Sequence, residues 1–492
     1  MFDIWKKFTA PSSPEETPGT ASTAGVAALF AGCADFTQRA VRVGRTRLTA
    51  QVCWLDGLVS SPEAAEDVLR PLSRLDARGT VWQVLNAIQA GGVYCPSVRR
   101  HRDDAALAQD LAQGCVAVIF DEAGTGLSFE ARATAGRSVS APSVEKTILG
   151  AKDAFVETLR VNTCLVRRHL RDPALKLWQG TVGRRSRTAV AVFSLAGVVR
   201  EGLVDQVIAR LEALDIDGVT ALGDLEQYLA DRPRGVFPQA LHTERPDRFA
   251  RSLLQGRVGI LADGLPVGIL LPGTLPEMLH VPEDRARHAL VASGLVLLRW
   301  VSLFLSLALP ALFVAVAMFH PEMIPYRLLQ SIIRSKQEVP FGTAAEILGM
   351  LAAFELLQEA GIRLPDPVGQ TVSIIGALIV GQSAVEARVI SPIAVIVVAL
   401  AGIAGYTQPS QELGAAIRLW RFLLALCSLA LGLYGMMAGL MLLLWRLCDM
   451  ESLGVAYMYP ACDGERGSLL RVLFRPPLRL EKKPRRKGGR NP

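Results

Sequence analysis

The chain has 492 residues, half of them apolar, with a mean hydropathy of +0.30 and a formal charge of +7. Such a length allows two or three compact units, and a positive mean hydropathy points to a membrane protein. The excess charge is gathered in a C-terminal tail, where nine Lys or Arg face one acid between Arg471 and Arg490, so no nucleic-acid partner is expected.

Residues 1–30 read as a flexible lead-in. Met1 to Phe8 suits a short amphipathic tether, and Thr9 to Gly25 is too rich in Pro, Ser, Thr and Gly to bury a core. No apolar run here is long enough for a secretory signal. The eight cysteines contain no CxxC pair and the six histidines no HExxH, so reduced core thiols are expected, with no metal site and no cofactor.

The next stretch repeats itself. Thr49 to Val59 (TAQVCWLDGLV) matches Ala189 to Val199 (AVAVFSLAGVV) at an offset of 140. Leu111 to Asp121 (LAQGCVAVIFD) matches Leu253 to Asp263 (LLQGRVGILAD) at an offset of 142. Each copy alternates strand and helix signals, which implies two tandem, related α/β lobes, at 31–145 and 181–288. Between them, 146–180 holds a connecting helix at Gly150 to Leu170, with Phe155, Leu159, Asn162 and Val166 on one face. Its basic end (Arg160, Arg167, Arg168, Arg171) suits a solvated helix C-terminus better than an anion site. The lobes carry no phosphate-loop motif, since DEAGTGLS at Asp121 to Ser128 lacks GxxxxGK[ST], and no nucleophile elbow. No catalytic residue is assigned, and an enzyme is not expected.

From 289 to 449 the composition changes to long uncharged runs. Four can cross a hydrocarbon layer of about 30 Å: Val301 to Phe319, Pro367 to Val385, Val389 to Gln411, and Phe422 to Trp445. The first is expected to begin near Ala289, to carry a kink at Pro310, and to hold Arg299 by snorkelling or against protein. Phe341 to Ala360, interrupted by the acids Glu346, Glu355 and Glu359, is expected to be a short re-entrant or interfacial helix. Four crossings and a basic tail at 450–492 place both ends in the cytoplasm, with anionic lipid as the tail's natural partner.

In the second run, one helical stripe collects Gly369, Val372, Ser373, Gly376, Ile379, Val380, Ser383 and Glu386. Small residues of this kind let helices pack closely in membranes. The same stripe also suits a pore wall, with Val372 or Ile379 as a gate and Glu386 setting cation preference. Periodicity alone leaves both open.

The run from Val339 to Leu426 closely resembles the spore germination protein family typified by the A subunit of GerA-type germinant receptors. The likeness is carried by AGIRLP and GQTV (Ala360 to Pro365, Gly369 to Val372), GQSAVEA (Gly381 to Ala387), SPI (Ser391 to Ile393) and ELGAAIRLWRF (Glu412 to Phe422). It extends upstream through FHPEMIP (Phe319 to Pro325) and ERPDRFARSLLQGRVGILADG (Glu244 to Gly264), covering roughly residues 40–450. Leu351 and Gly342 depart from the family pattern, which often has an acid and a proline there.

The resemblance implies a multi-pass protein of the spore inner membrane acting with a transporter-like B subunit and a lipoprotein C subunit. It also implies a homo-oligomer, a pentamer, forming a nutrient-gated cation channel that starts germination, and it favours the pore reading of the stripe. A stage V sporulation paralogue aiding ion release, and a non-conducting assembly scaffold, are the alternatives. A secondary transporter would be expected to repeat within the membrane half, whereas the repeats lie in the soluble half.

Overall fold

The computed structural model describes residues 20–462, except 45, 47, 76–79, 94–96, 133–141, 143–144, 146, 148–149 and 364–380, and also residues 472–474. Its N-terminal half holds two five-stranded sheets. The first is built from β1 (Phe36–Arg42), β2 (Thr49–Leu55), β3 (Val98–His101), β4 (Cys115–Phe120) and β5 (Thr125–Glu130), in the order β1-β2-β4-β5-β3. The second is built from β6 (Leu175–Val182), β7 (Thr188–Leu195), β8 (Leu241–Thr243), β9 (Val258–Ala262) and β10 (Gly268–Leu271), in the order β6-β7-β9-β10-β8. The two orders are the same. The repeated segments fall on equivalent strands: Val52 on β2 pairs with Val118 on β4, and Val192 on β7 pairs with Ile260 on β9.

Helices interleave with these strands as expected, but every described pairing within the two sheets is antiparallel. The short links from β1 to β2 and from β4 to β5 dictate this, because parallel neighbours need a crossover of a dozen or more residues. Alternation of signals along the chain therefore reported the layers and not the strand direction.

The repeat extends further than the sequence matches. Helix α1 (Thr23–Leu29) precedes the first sheet, and its first residue is held by Asp121, which accepts from Thr23 N at 2.7 Å and Thr23 Oγ1 at 2.9 Å. Asp263, the counterpart of Asp121, accepts from Leu159 N at 2.9 Å, at the start of the connecting helix α3 (Leu159–His169). Helix α2 (Asp104–Ala112) leads into β4, as α6 (Pro246–Leu254), which follows α4 (Leu203–Glu212) and α5 (Leu222–Leu229), leads into β9. Both end on a left-handed glycine, Gly114 (φ 93°) and Gly256 (φ 89°), the conformation that lets a helix stop without a Cβ clash. A Cβ at Gly256 would lie 2.9 Å from Val198 O, and one at Gly114 would lie 3.4 Å from Leu58 O, the equivalent carbonyl. Helix α1 lies inside the stretch expected to be flexible. Its composition is that of a linker, but a carboxylate from β4's end caps it and Phe30 is buried beside it. The connecting helix begins nine residues later than Gly150, with Asn162 bonded to both the amide and the carbonyl of Val156 in the segment before it.

The basic end of α3 is not simply solvated. Arg167 is 1 % exposed and pairs with the buried Asp35, its Nη2 donating to Asp35 Oδ1 at 2.7 Å. Arg160 donates to Asp56 at 2.6 Å. Beside these pairs Ala34 N donates to Leu177 O at 2.8 Å, so the first lobe is joined to α3 and β6 by a buried ion pair and backbone bonds. Helix periodicity could not show this, because Asp35 lies 132 residues away.

The second half is helical. Helices α7 (Ala289–Phe319) and α11 (Gln411–Cys448) are long and apolar enough to cross a membrane by length and composition. Between them come α8 (Tyr326–Lys336), α9 (Thr343–Arg363) and α10 (Pro392–Tyr406). Helix α7 begins at the expected boundary and continues through Pro310. Its Arg299 faces protein, donating to both oxygens of Asp284 at 2.6 and 2.9 Å and to Leu279 O at 3.1 Å. Helix α9 falls on the segment at 341–360 that was expected to form a re-entrant or interfacial helix. It runs unbroken for 21 residues, about 30 Å at 1.5 Å per residue. It tolerates its acids because two of them meet cations. Helix α10 has 15 residues, shorter than the expected run from Val389 to Gln411. The run expected at Pro367 to Val385 lies largely outside the described residues.

The expected span from Phe422 to Trp445 is reversed in its middle. Gly432 has φ 60° and ψ −136°, and α11 turns back there. A Cβ on Gly439 would lie 2.6 Å from Leu424 Cδ2, whereas fifteen residues of straight helix would separate these positions by about 22 Å. Gly435 closes the turn, since its Cβ would meet Cys427 O at 1.9 Å. Uniform apolarity gives no sign of such a reversal, and the turn is marked only by glycines.

Two outcomes test this packing. Asp35→Ala leaves Arg167 buried without its carboxylate, and a thermal melt of the detergent-solubilised chain should show destabilisation of about 3–5 kcal/mol. Gly432→Ala places a Cβ 2.9 Å from Phe319 Cβ in a backbone region open essentially to glycine, and should cost about 1–3 kcal/mol by the same measurement. A neutral Gly432→Ala would contradict the reversal.

Candidate functional site at the junction of the second lobe and the helices

Because α11 turns back, both of its ends reach the second lobe. At its start, Glu412 Oε1 lies 2.5 Å from His242 Nδ1 on β8. At its end, Asp449 accepts from Arg232 Nη1 at 2.7 Å. The chain then forms a two-strand ladder, β11 (Glu451–Ser452) and β12 (Val455–Ala456), which stays on the lobe. Ser452 Oγ donates to Gln239 O at 2.9 Å, Leu453 N to Asp231 at 2.6 Å, and Arg200 to Gly454 O at 3.0 Å. Aromatic rings fill the space between: Phe237 lies 6.3 Å from both Trp420 of α11 and the fully buried Tyr457.

His242 is the chemical centre of this junction. Its Nε2 faces Glu226 of α5 (Leu222–Leu229) at 3.7 Å, so each ring nitrogen looks at a different carboxylate. The three side chains place one ligand atom each within 4.8 Å of one another. A cation could bind only one ring nitrogen, whereas a proton lets the imidazolium serve both acids, so the arrangement suits a proton. Burial pulls His242 down, but the hydrogen bond and charge of Glu412, with the charge of Glu226, outweigh it and hold the imidazole above its ordinary value. Burial pushes Glu226 up despite His242. Burial likewise raises the phenol of Tyr457, helped by Glu412 and Glu226. Sequence reading missed this set because its members lie on three distant elements, and although Glu412 opens the ELGAAIRLWRF motif, nothing in that motif points to Glu226 or His242.

The expected acids of the helical half are placed as follows. Glu346 is 2 % exposed, accepts from Ser391 N at 3.0 Å and Ser391 Oγ at 2.5 Å, and lies 3.2 Å from Lys336 Nζ. It thereby caps α10. Glu355 pairs with Arg418 Nε of α11 at 2.8 Å. Glu359 is exposed. Of the expected stripe, Gly369, Val372, Ser373, Gly376, Ile379 and Val380 lie outside the described residues. Ser383 and Glu386 are exposed on a helical turn at 381–386, where Glu386 accepts from Gln382 at 2.9 Å.

The sign of the pH dependence follows from these shifts. A histidine raised in the folded state stabilises fully below its unfolded value, about 6.5, and loses that contribution as pH rises through the higher folded value. The raised Glu226 works in the same direction. Hydrogen exchange at 411–417 should therefore quicken as pH rises above about 6.5, after correction for intrinsic rates, and His242→Gln should flatten that response.

Comparison with known proteins gives one result throughout. Residues 25–486 match the family described as Bacillus/Clostridium GerA spore germination protein. Spore germination protein B1 of Bacillus subtilis (strain 168) is 34 % identical over 446 residues, covering 90 % of this chain and 92 % of the relative. Spore germination protein KA of the same organism is 33 % identical over 454 residues, covering 91 % and 82 %. Among solved structures, the N-terminal domain of the A subunit of the Bacillus megaterium spore germinant receptor GerK3 is 24 % identical with a TM-score of 0.40, covering 54 % of this chain and 98 % of that one. With a family match over nearly its whole length, the chain belongs to the GerA family of spore germination proteins.

Proposed function

We propose that the chain is the A-type subunit of a spore germinant receptor, a multi-pass protein of the spore inner membrane that assembles with copies of itself into a nutrient-gated cation channel. The family match over residues 25–486 carries this reading. Its partners are a transporter-like B subunit, a lipoprotein C subunit and further copies of the chain, with a pentamer as the expected oligomer. Both lobes and the C-terminal tail lie in the cytoplasm, and the basic tail meets anionic lipid.

The pinning of both ends of α11 to the second lobe supports a mechanical part of the reading. A displacement of that lobe pulls on the hairpin through Glu412 and Asp449 together. The hairpin is in turn held to α7 by Ser428 Oγ, which donates to Ala311 O at 2.6 Å, and to α9 by Arg418. In this reading Val372, Ser373, Gly376, Ile379, Val380, Ser383 and Glu386 face the pore. Val372 or Ile379 forms its narrow point, and Glu386 sets cation preference at the mouth.

Ion leakage from liposomes carrying the protein tests the pore directly. Val372→Ala should raise leakage and Val372→Trp should abolish it. Equal leakage from all three folded, inserted proteins would return the stripe to helix packing and leave a scaffold role.

A further inference from the structure

Arg421 of α11 is 1 % exposed, yet among the described residues neither its Nε nor its Nη2 has a hydrogen-bond partner. These two nitrogens share one edge of the guanidinium, the edge that normally grips an oxyanion with two parallel bonds. The nearest acid, Glu355, is committed elsewhere: its Oε1 takes Arg418 at 2.8 Å, and its Oε2 stops 3.8 Å from Arg421 Nη2. Two guanidiniums, Arg418 and Arg421, thus face the one carboxylate of Glu355, so these three side chains together carry one net positive charge. Arg421 lines a small cleft between α7, α9, α10 and α11, together with Ser306, Gln358, Tyr406 and Arg418. Tyr406 is 62 % exposed, so the rim is open, and Arg418 stands partly exposed beside it.

We infer that this cleft is a binding site for a small monovalent anion of chloride or formate size, held on the free edge of Arg421. A buried cation with unmade hydrogen bonds is costly, and costlier still where lipid surrounds the protein. An anion on Arg421 brings the charge of the set to zero and supplies both missing acceptors. Gly402 and Gly405 line the wall, and a Cβ on Gly402 would lie 2.5 Å from Phe354 Cζ, so the wall has no space for a larger guest to push into. The site would exist whether or not the chain conducts.

Thermal melts of the full chain in detergent, at constant ionic strength in chloride, formate or the bulky gluconate, test the site. Chloride and formate should raise the midpoint by about 2 °C or more over gluconate, in a saturating manner. Arg421→Lys, which keeps the charge but removes the fork, should abolish the formate response. Glu355→Gln removes the competing carboxylate and should lower the half-saturating anion concentration about tenfold. The inference is overturned if the three anions give equal midpoints in the wild type. It is equally overturned if Glu355→Gln folds but does not sharpen the response, because Arg421 would then be served by water or by Glu355 itself.

Discussion

The reversal of α11 at Gly432 is the constraint on which the rest of the helical half depends. A 38-residue helix left straight would carry its end far from its start; folded back, it returns Asp449 to the lobe from which Glu412 departs. Only glycine accepts the backbone angles at the turn, and two further glycines let the arms touch. The lobe and the hairpin then share two ionic contacts, an aromatic layer and the short β11–β12 ladder. The histidine between Glu226 and Glu412 makes one of those contacts sensitive to protons.

The N-terminal half rests on duplication. Each copy uses an aspartate at the end of its fourth-position strand to cap a helix, and a left-handed glycine to turn from helix to strand. The buried Arg167–Asp35 pair then ties the first lobe to the connecting helix.

What was legible in the sequence follows from how local each signal is. The repeat was readable because Gly57, Gly114, Gly197 and Gly256 each satisfy a local backbone need and so recur at fixed spacing. The start of the first long apolar helix near Ala289 was readable from composition, and of the two placements open to Arg299, snorkelling or facing protein, the structure shows the second. Strand direction was not, because it depends on connection length more than on the residues within each strand. Nor was the hairpin: a run of Leu, Met and Ala reads alike whether it crosses once or turns at a glycine. The junction set was hidden for a simpler reason. Glu226, His242 and Glu412 acquire meaning only when α5, β8 and α11 meet, and no spacing rule links them. The family resemblance, resting on local motifs such as GQSAVEA and ELGAAIRLWRF, was fully legible and agrees with the match over 25–486.

The fold-back of α11 is the claim most directly open to measurement. Gly439→Cys would place its Cβ 3.7 Å from the Cβ of the native Cys427, within the range that a disulfide spans. Oxidation in native membranes, followed by peptide mapping, should join Cys427 to the new cysteine within one chain. In a straight helix twelve residues hold the two about 18 Å apart, so failure to join, with both thiols still reactive to a small alkylating agent, would contradict the account.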